Sequence, residues 1–154
     1  MIFRINKQLF AIRTNTIFNI VEKPKLANSG PLKSYEKAMF SFRGMLIPLL
    51  DIKKLLGLSL VKGANEQSIL VVELNINGYP ELVGISIDEV IEVAEIDDLL
   101  TYPYCSVSSR ERNSLRESIL MRNGESIVML NTSICFSKKI LEHGSEISIS
   151  LLSN

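Results

Sequence analysis

The sequence has no tryptophan, only two cysteines and only one histidine, and it lacks an excess of charge of either sign. Each scarcity excludes a class of function. Cys105 and Cys135 stand thirty positions apart without metal-ligand spacing, and His143 has no Cys or His neighbour, so no zinc site is expected. A nucleophilic triad needs a base beside the nucleophile, and the lone histidine follows a helical segment as an ordinary surface residue. The eight glycines are scattered singly, with neither phosphate-loop nor dinucleotide spacing. No cofactor, metal or catalytic residue is therefore expected.

Seventeen basic residues balance seventeen acidic ones, so the chain carries no overall electrostatic footprint for nucleic acid or an anionic membrane. Aromatic residues make up 6% and do not alternate with basic ones, which argues against a stacking surface for single strands. No apolar run approaches the roughly 20 residues that span a bilayer. The first ten residues lack the apolar core and cleavage site of a signal peptide. A soluble, cytoplasmic protein without membrane insertion is the expectation. Acidic pairs at Asp88-Glu89 and Asp97-Asp98 read as solvated turn charges, because neighbours on a strand point to opposite faces.

What is present is aliphatic. Hydrophobic residues are 46% of 154, enough for one domain that buries about two thirds of its unfolded surface, or for two small joined lobes. Turn signals cut the chain into short pieces. Asn6-Lys7, Asn77-Gly78 and Asn123-Gly124 each separate apolar segments and predict hairpins. Thr16 to Glu22, Ser68 to Leu74, Glu81 to Ile87 and Val90 to Ile96 read as strands, with Phe18 and Ile20 on one face of the first. Lys23 to Lys37, Ser59 to Gln67 and Asp97 to Arg116 read as irregular connections, and Glu146 to Leu152 as a strand-like tail. The total is about ten short strands and two short helices, a mostly β class suited to barrels or a sandwich.

One stretch stands out, FSFRGMLIPLLDIKKLLG from Phe40 to Gly57. An Arg-Gly turn opens it, and a buried strand follows. Asp51 caps a short helix that Gly57 ends in the left-handed conformation. Arg43, a guanidinium at the mouth of an apolar strand, needs a partner or water. The second Asn-Gly turn echoes this stretch: Gly124 precedes Asn131 by seven residues as Gly44 precedes Asp51, and Ile47 aligns with Ile127 and Leu50 with Leu130. After Asn131 a second helix is expected over Ile134 to Glu142, ended by Gly144. Either the chain contains a duplicated unit, with a lobe boundary between Lys62 and Val93, or two short β patterns coincide.

Three landmarks in this order resemble the CheW-like domains of bacterial chemotaxis: Ile20-Val21-Glu22, the Phe40 to Gly57 stretch, and GISIDEVIEV from Gly84 to Val93. The resemblance runs from about Ile2 to Leu141. It implies a single CheW-like domain over residues 1–154, built as two small five-stranded β-barrel subdomains intertwined around a shared core, the second roughly residues 65–130. It implies a non-catalytic adaptor that couples the cytoplasmic tip of membrane chemoreceptors to the regulatory domain of the histidine kinase CheA, in arrays at the membrane. Glu22 and Arg43 match a family Glu and Arg that look like an ion pair near an interface. Ile20, Gly84, Val90 and Val93 match positions in or near a receptor-binding groove, although plain core packing is an equal reading for the two valines. Met45 and Leu58 border the stretch that would face the kinase. Ala38, Ser118 and Asn131 depart from the family pattern, and the Lys23 to Lys37 loop lacks its Leu-Pro element, which marks a divergent member. The alternative is a β-barrel binding module for a small ligand or nucleic acid.

Overall fold

The protein is described by a computed structural model that covers residues 1–22, 26–27, 36–59, 68–76, 78–104 and 115–135. Most of the expected Lys23 to Lys37 loop, the connection after Ser59, Asn77, residues 105–114, the rest of the helix expected to Glu142, His143 and the tail expected as a strand lie outside the described residues.

Among the described residues twelve strands and two α-helices follow one another as β1 (Ile2–Ile5), β2 (Gln8–Ala11), β3 (Ile17–Glu22), β4 (Leu26–Ala27), β5 (Glu36–Phe42), β6 (Met45–Leu50), α1 (Ile52–Leu55), β7 (Ser68–Ile76), β8 (Tyr79–Ile87), β9 (Glu89–Glu92), β10 (Leu100–Pro103), β11 (Arg116–Arg122), β12 (Glu125–Leu130) and α2 (Thr132–Cys135). The mostly β class is as expected. Three strands were not expected: β4, β10 and β5, which precedes the Arg43-Gly44 turn. β4 falls in the expected loop, and β10 in the expected irregular excursion, where all four of its residues are exposed and show no alternation. Among the described residues each sheet has six strands, where the resemblance implied five-stranded barrels.

The order in the first sheet is β10-β11-β12-β2-β1-β9, and in the second β4-β5-β6-β8-β7-β3. The two lists correspond position by position when each strand of the first half of the chain is matched with the strand six further on. Neither sheet is one stretch of chain. The β1–β2 hairpin joins the sheet built by β9 to β12, and the β7–β8 hairpin joins the sheet built by β3 to β6. The duplication suggested by the Gly44 and Gly124 turns is thus present in the topology, with the hairpins exchanged. In both sheets the strand before the helix runs parallel to an exchanged strand: Ile127 lies opposite Leu9, and Leu49 opposite Gly84.

Alternation explains the layers. Ile127 and Met129 face a core private to the first sheet, with Ile2, Leu9 and Leu120. Ile47, Leu49, Ile69 and Val71 face a core private to the second, with Phe40 and Phe42. The opposite faces of the same strands meet in a shared core, where Leu50 and Leu130, Phe3 and Phe10, and Leu70, Val72, Ile85 and Ile87 pack. Strands buried on both faces must be apolar throughout, which is why SILVVEL and ESIVML read as near-continuous runs. Each such side chain contributes about 1.5–3 kcal/mol.

Each sheet curls until the strand at one edge meets the strand next to the other edge. Arg122 of β11 ion-pairs with Glu92 of β9 in the first sheet. In the second, the ring of Phe18 on β3 meets Phe42 on β5 edge-on, with centroids 6.1 Å apart. A bulge between Ile17 and Asn19 turns Phe18 to that side, so Phe18 and Ile20 do not share a face as simple alternation suggested.

Candidate protein-binding surfaces

The chain changes sheets at Asp88, between β8 and β9, and the side chain there is a junction. Asn6 and Lys7, both left-handed with φ of 55° and 77°, form the two-residue turn of the β1–β2 hairpin. The backbone N–H of Asn6 donates to Asp88 Oδ2 at 2.7 Å, and the backbone N–H of Asp88 donates to the Arg4 carbonyl at 3.0 Å. Lys53 Nζ, on α1, lies 3.7 Å from Asp88 Oδ1, and that lysine is only 5% exposed. The Asn6 amide in turn donates to the Ser59 carbonyl at 2.7 Å. Glu89 pairs with Arg4 at 2.7 Å. Asp88 and Glu89 are therefore not free turn charges. A carboxylate in a half-buried place needs donors, and here they come from the exchanged hairpin and from the helix. Sequence reasoning missed this junction because nothing local separates the buried Lys53 from the exposed Lys54.

The helix itself is built as expected. Asp51 accepts the Lys54 N–H at 3.1 Å. Gly57, at φ +66°, ends it with N–H bonds from Gly57 to the Lys54 carbonyl and from Leu58 to the Lys53 carbonyl, a Schellman ending. Arg116 donates to the Leu56 carbonyl at 3.0 Å and ties the helix end to β11. At the other change of sheet, between β2 and β3, Arg13 forms a two-bond fork with Glu117 at 2.7 and 2.9 Å. Hydrogen bonding to Glu117 pushes the Arg13 pKa up, so the guanidinium stays charged there.

The four groove candidates divide. Ile20 is exposed on β3 and lies opposite Leu70, on the face turned to the shared core. Val90 on β9 is half-buried against the same core, opposite Phe3. Val93, just past β9, is 64% exposed, and Ile91 beside it is exposed too. Ile20 and Val90 sit on the edge strands of the two sheets, and Val93 directly follows one, where apolar side chains border the shared core. Gly84 does not join them. It is buried on the opposite face of β8, and a Cβ there would stand 2.5 Å from the Phe40 ring and 2.8 Å from Ile69 Cγ2. Gly84 lets Phe40 lie against the backbone; it offers no surface.

Arg43 and Glu22 are not brought together either. The Arg43 guanidinium carbon lies 5.1 Å from the centroid of Phe42 and 5.7 Å from that of Phe18. Glu22 is at the other end of β3, four residues from Phe18 and so about 13 Å along the strand. The expected ion pair is absent: the Arg43 guanidinium lies by two aromatic rings at the Phe18 end of β3, and Glu22 closes the other end. Met45 opens β6 and is 50% exposed, whereas Leu58, after α1, is half-buried against the shared core. The length of β6, about 17 Å, separates the two ends of that stretch.

Among the described residues no three His, Cys, Asp or Glu side chains gather as a metal site. No described helix is long and apolar enough to cross a membrane. Two curled sheets with a shared core and apolar residues along exposed edges define a module that works by contact with other macromolecules.

The sequence pattern of the CheW-like domain matches residues 1–139, and the chain belongs to that family. CheW-like proteins are non-catalytic scaffolds of chemotaxis signalling, and this chain is one of them, not an enzyme. The fold is similar to the crystal structure of the scaffolding protein TtCheW from Thermoanaerobacter tengcongensis, with a TM-score of 0.66 over 88% of this chain and 89% of that one. Identity to it is 19%, so the likeness speaks to the fold alone. No curated protein matches the chain.

Proposed function

We propose that this chain is a coupling adaptor that binds the cytoplasmic tip of chemoreceptors with one surface and the regulatory domain of the histidine kinase CheA with another. The observation that carries the reading is the family match over residues 1–139. The receptor-facing surface is formed by Ile20 and Val90 on the two edge strands and Val93 just past one, where an amphipathic helix of the receptor tip lays its apolar face. The kinase-facing surface lies at the Met45 end of β6, with Leu58 as a packing residue behind the helix. Separate surfaces suit a protein that must hold two partners at once. The protein then works in the cytoplasm, at receptor arrays beneath the membrane.

The filled interior favours an adaptor over a small-ligand barrel. Phe40, Phe42, Ile69 and Val71 occupy the inside of the second sheet, and Phe40 lies against Gly84 too closely to admit even a methyl group. A net charge of zero favours protein over nucleic acid. The test is co-purification of the tagged chain with receptors and a histidine kinase from membranes of its own cell. Recovery of both supports the proposal, and recovery of neither from wild-type protein overturns it.

A further inference from the structure

We infer that Arg43, stacked on Phe18 and Phe42 beside Met45, is a carboxylate-accepting corner that anchors an acidic side chain, flanked by apolar ones, on a protein partner. The turn shows that Arg43 is not there for the sake of the hairpin. Arg43 and Gly44, at φ 49° and 79°, form a two-residue turn of the same type as Asn123 and Gly124, at 51° and 80°. These two turns occupy equivalent places in the two halves of the chain. The left-handed conformation of the first position suits asparagine and is unfavourable for arginine. The second half has the residue the turn prefers, and the first half has one it disfavours. Backbone strain of this kind, observed and not assumed, points to use at that position.

The side chain is presented and not spent. Among the described residues Arg43 makes no hydrogen bond or ion pair, while its guanidinium lies over two rings set at 81° to each other. Phe42 is nearly buried at 7% exposure, so the floor is rigid, and Phe18 is 45% exposed, so the corner is open. The two rings restrain the guanidinium, and its N–H edge has no partner among the described residues. That edge matches a carboxylate with two parallel hydrogen bonds. One cation suits one carboxylate better than a phosphate dianion. The apolar rim of Phe18 and Met45 excludes water from the pair, which strengthens it, and receives an apolar neighbour of the acid. This deepens the kinase-facing reading and rests on it only for the identity of the partner.

The experiment labels the full chain at arginine with nitrogen-15 and follows the Arg43 Nε–H resonance. Acetyl-Leu-Glu-Leu-amide is titrated in, with acetyl-Leu-Gln-Leu-amide as the neutral control, and affinity for the purified CheA regulatory domain is measured separately. The glutamate peptide is expected to move the resonance with at least fivefold tighter binding than the glutamine peptide. Arg43→Asn, the residue of the equivalent turn, should lose peptide binding while its Tm stays within about 4 °C of wild type. Arg43→Gln and Arg43→Lys should both weaken kinase-domain binding at least tenfold, since lysine lacks the fork. Equal or absent responses to the two peptides overturn the inference. Unchanged kinase-domain binding by Arg43→Gln also overturns it and leaves the adaptor reading standing. If wild type binds neither kinase domain nor receptor, the adaptor reading falls, and discrimination between the peptides supports the corner alone.

Discussion

Asp88 accepts the backbone N–H of Asn6, 82 positions earlier in the chain, at 2.7 Å. The bond joins the tip of the exchanged β1–β2 hairpin to the point where the chain passes from one sheet to the other, and Lys53 on α1 reaches the same carboxylate. One side chain therefore holds three segments that are remote in sequence. Asp88→Ala should destabilise the protein by about 3 kcal/mol, because a buried ammonium loses a carboxylate and an N–H loses its acceptor. Asp88→Asn retains an acceptor for Asn6 and should lose about 1–2 kcal/mol. Urea unfolding of the three proteins measures both; equal stability would remove the junction from the account.

Gly84 is the second point where one atom decides. The contact distance to the Phe40 ring means that Gly84→Ala overpacks the interior of the second sheet, with an expected loss of about 1–3 kcal/mol. Phe40→Leu in the same chain should restore part of that loss by opening room beside the new methyl group. The denaturation midpoints of the single and double variants test this, and additive losses would contradict it.

The stacking of Arg43 is separable from an ion pair by a double-mutant cycle. Arg43 and Phe18 should couple by about 0.5–1 kcal/mol. Arg43 and Glu22 should couple by less than about 0.3 kcal/mol, the value expected of residues not in contact. A larger Glu22 coupling would restore the ion pair that the sequence suggested.

Surface variants should divide the two partners. Val93→Glu places a charge among exposed apolar residues of the edge strand, and should weaken binding of a receptor-tip fragment at least tenfold while leaving the kinase domain bound. Met45→Glu should do the reverse. Both positions are exposed, so stability should change by no more than about 0.5 kcal/mol. Calorimetric titration against each partner reads the pattern; a variant that weakens both equally would merge the two surfaces.

Much of the fold was legible where its cause is local. Asn6 and Asn123-Gly124 mark their turns because asparagine and glycine tolerate left-handed backbone, and Asp51 with Gly57 bounds α1 for the same kind of reason. The echo of Ile47 and Leu50 in Ile127 and Leu130 was legible and is structural: the isoleucines face the private cores, and the leucines face the shared one. The exchange of hairpins was not legible, because it rests on pairing between distant strands such as β2 with β12. β10 escaped because a fully exposed edge strand has no alternation to read. Of the candidate site residues, Ile20 and Val90 fall on the edge strands and Val93 just past one. Gly84 carries a packing role that a glycine in a motif cannot announce. Arg43 is separated from its expected partner because the turn that carries it meets β3 at the Phe18 end, a relation between non-adjacent strands that sequence spacing does not encode.

The central claim, that the chain couples receptor to kinase, is tested most directly by sedimentation of receptor-bearing membranes with purified CheA. The account predicts that kinase pellets with the membranes when the wild-type chain is added, and that Val93→Glu or Met45→Glu each leaves it in the supernatant. Kinase that pellets to the same extent with and without the chain would contradict it.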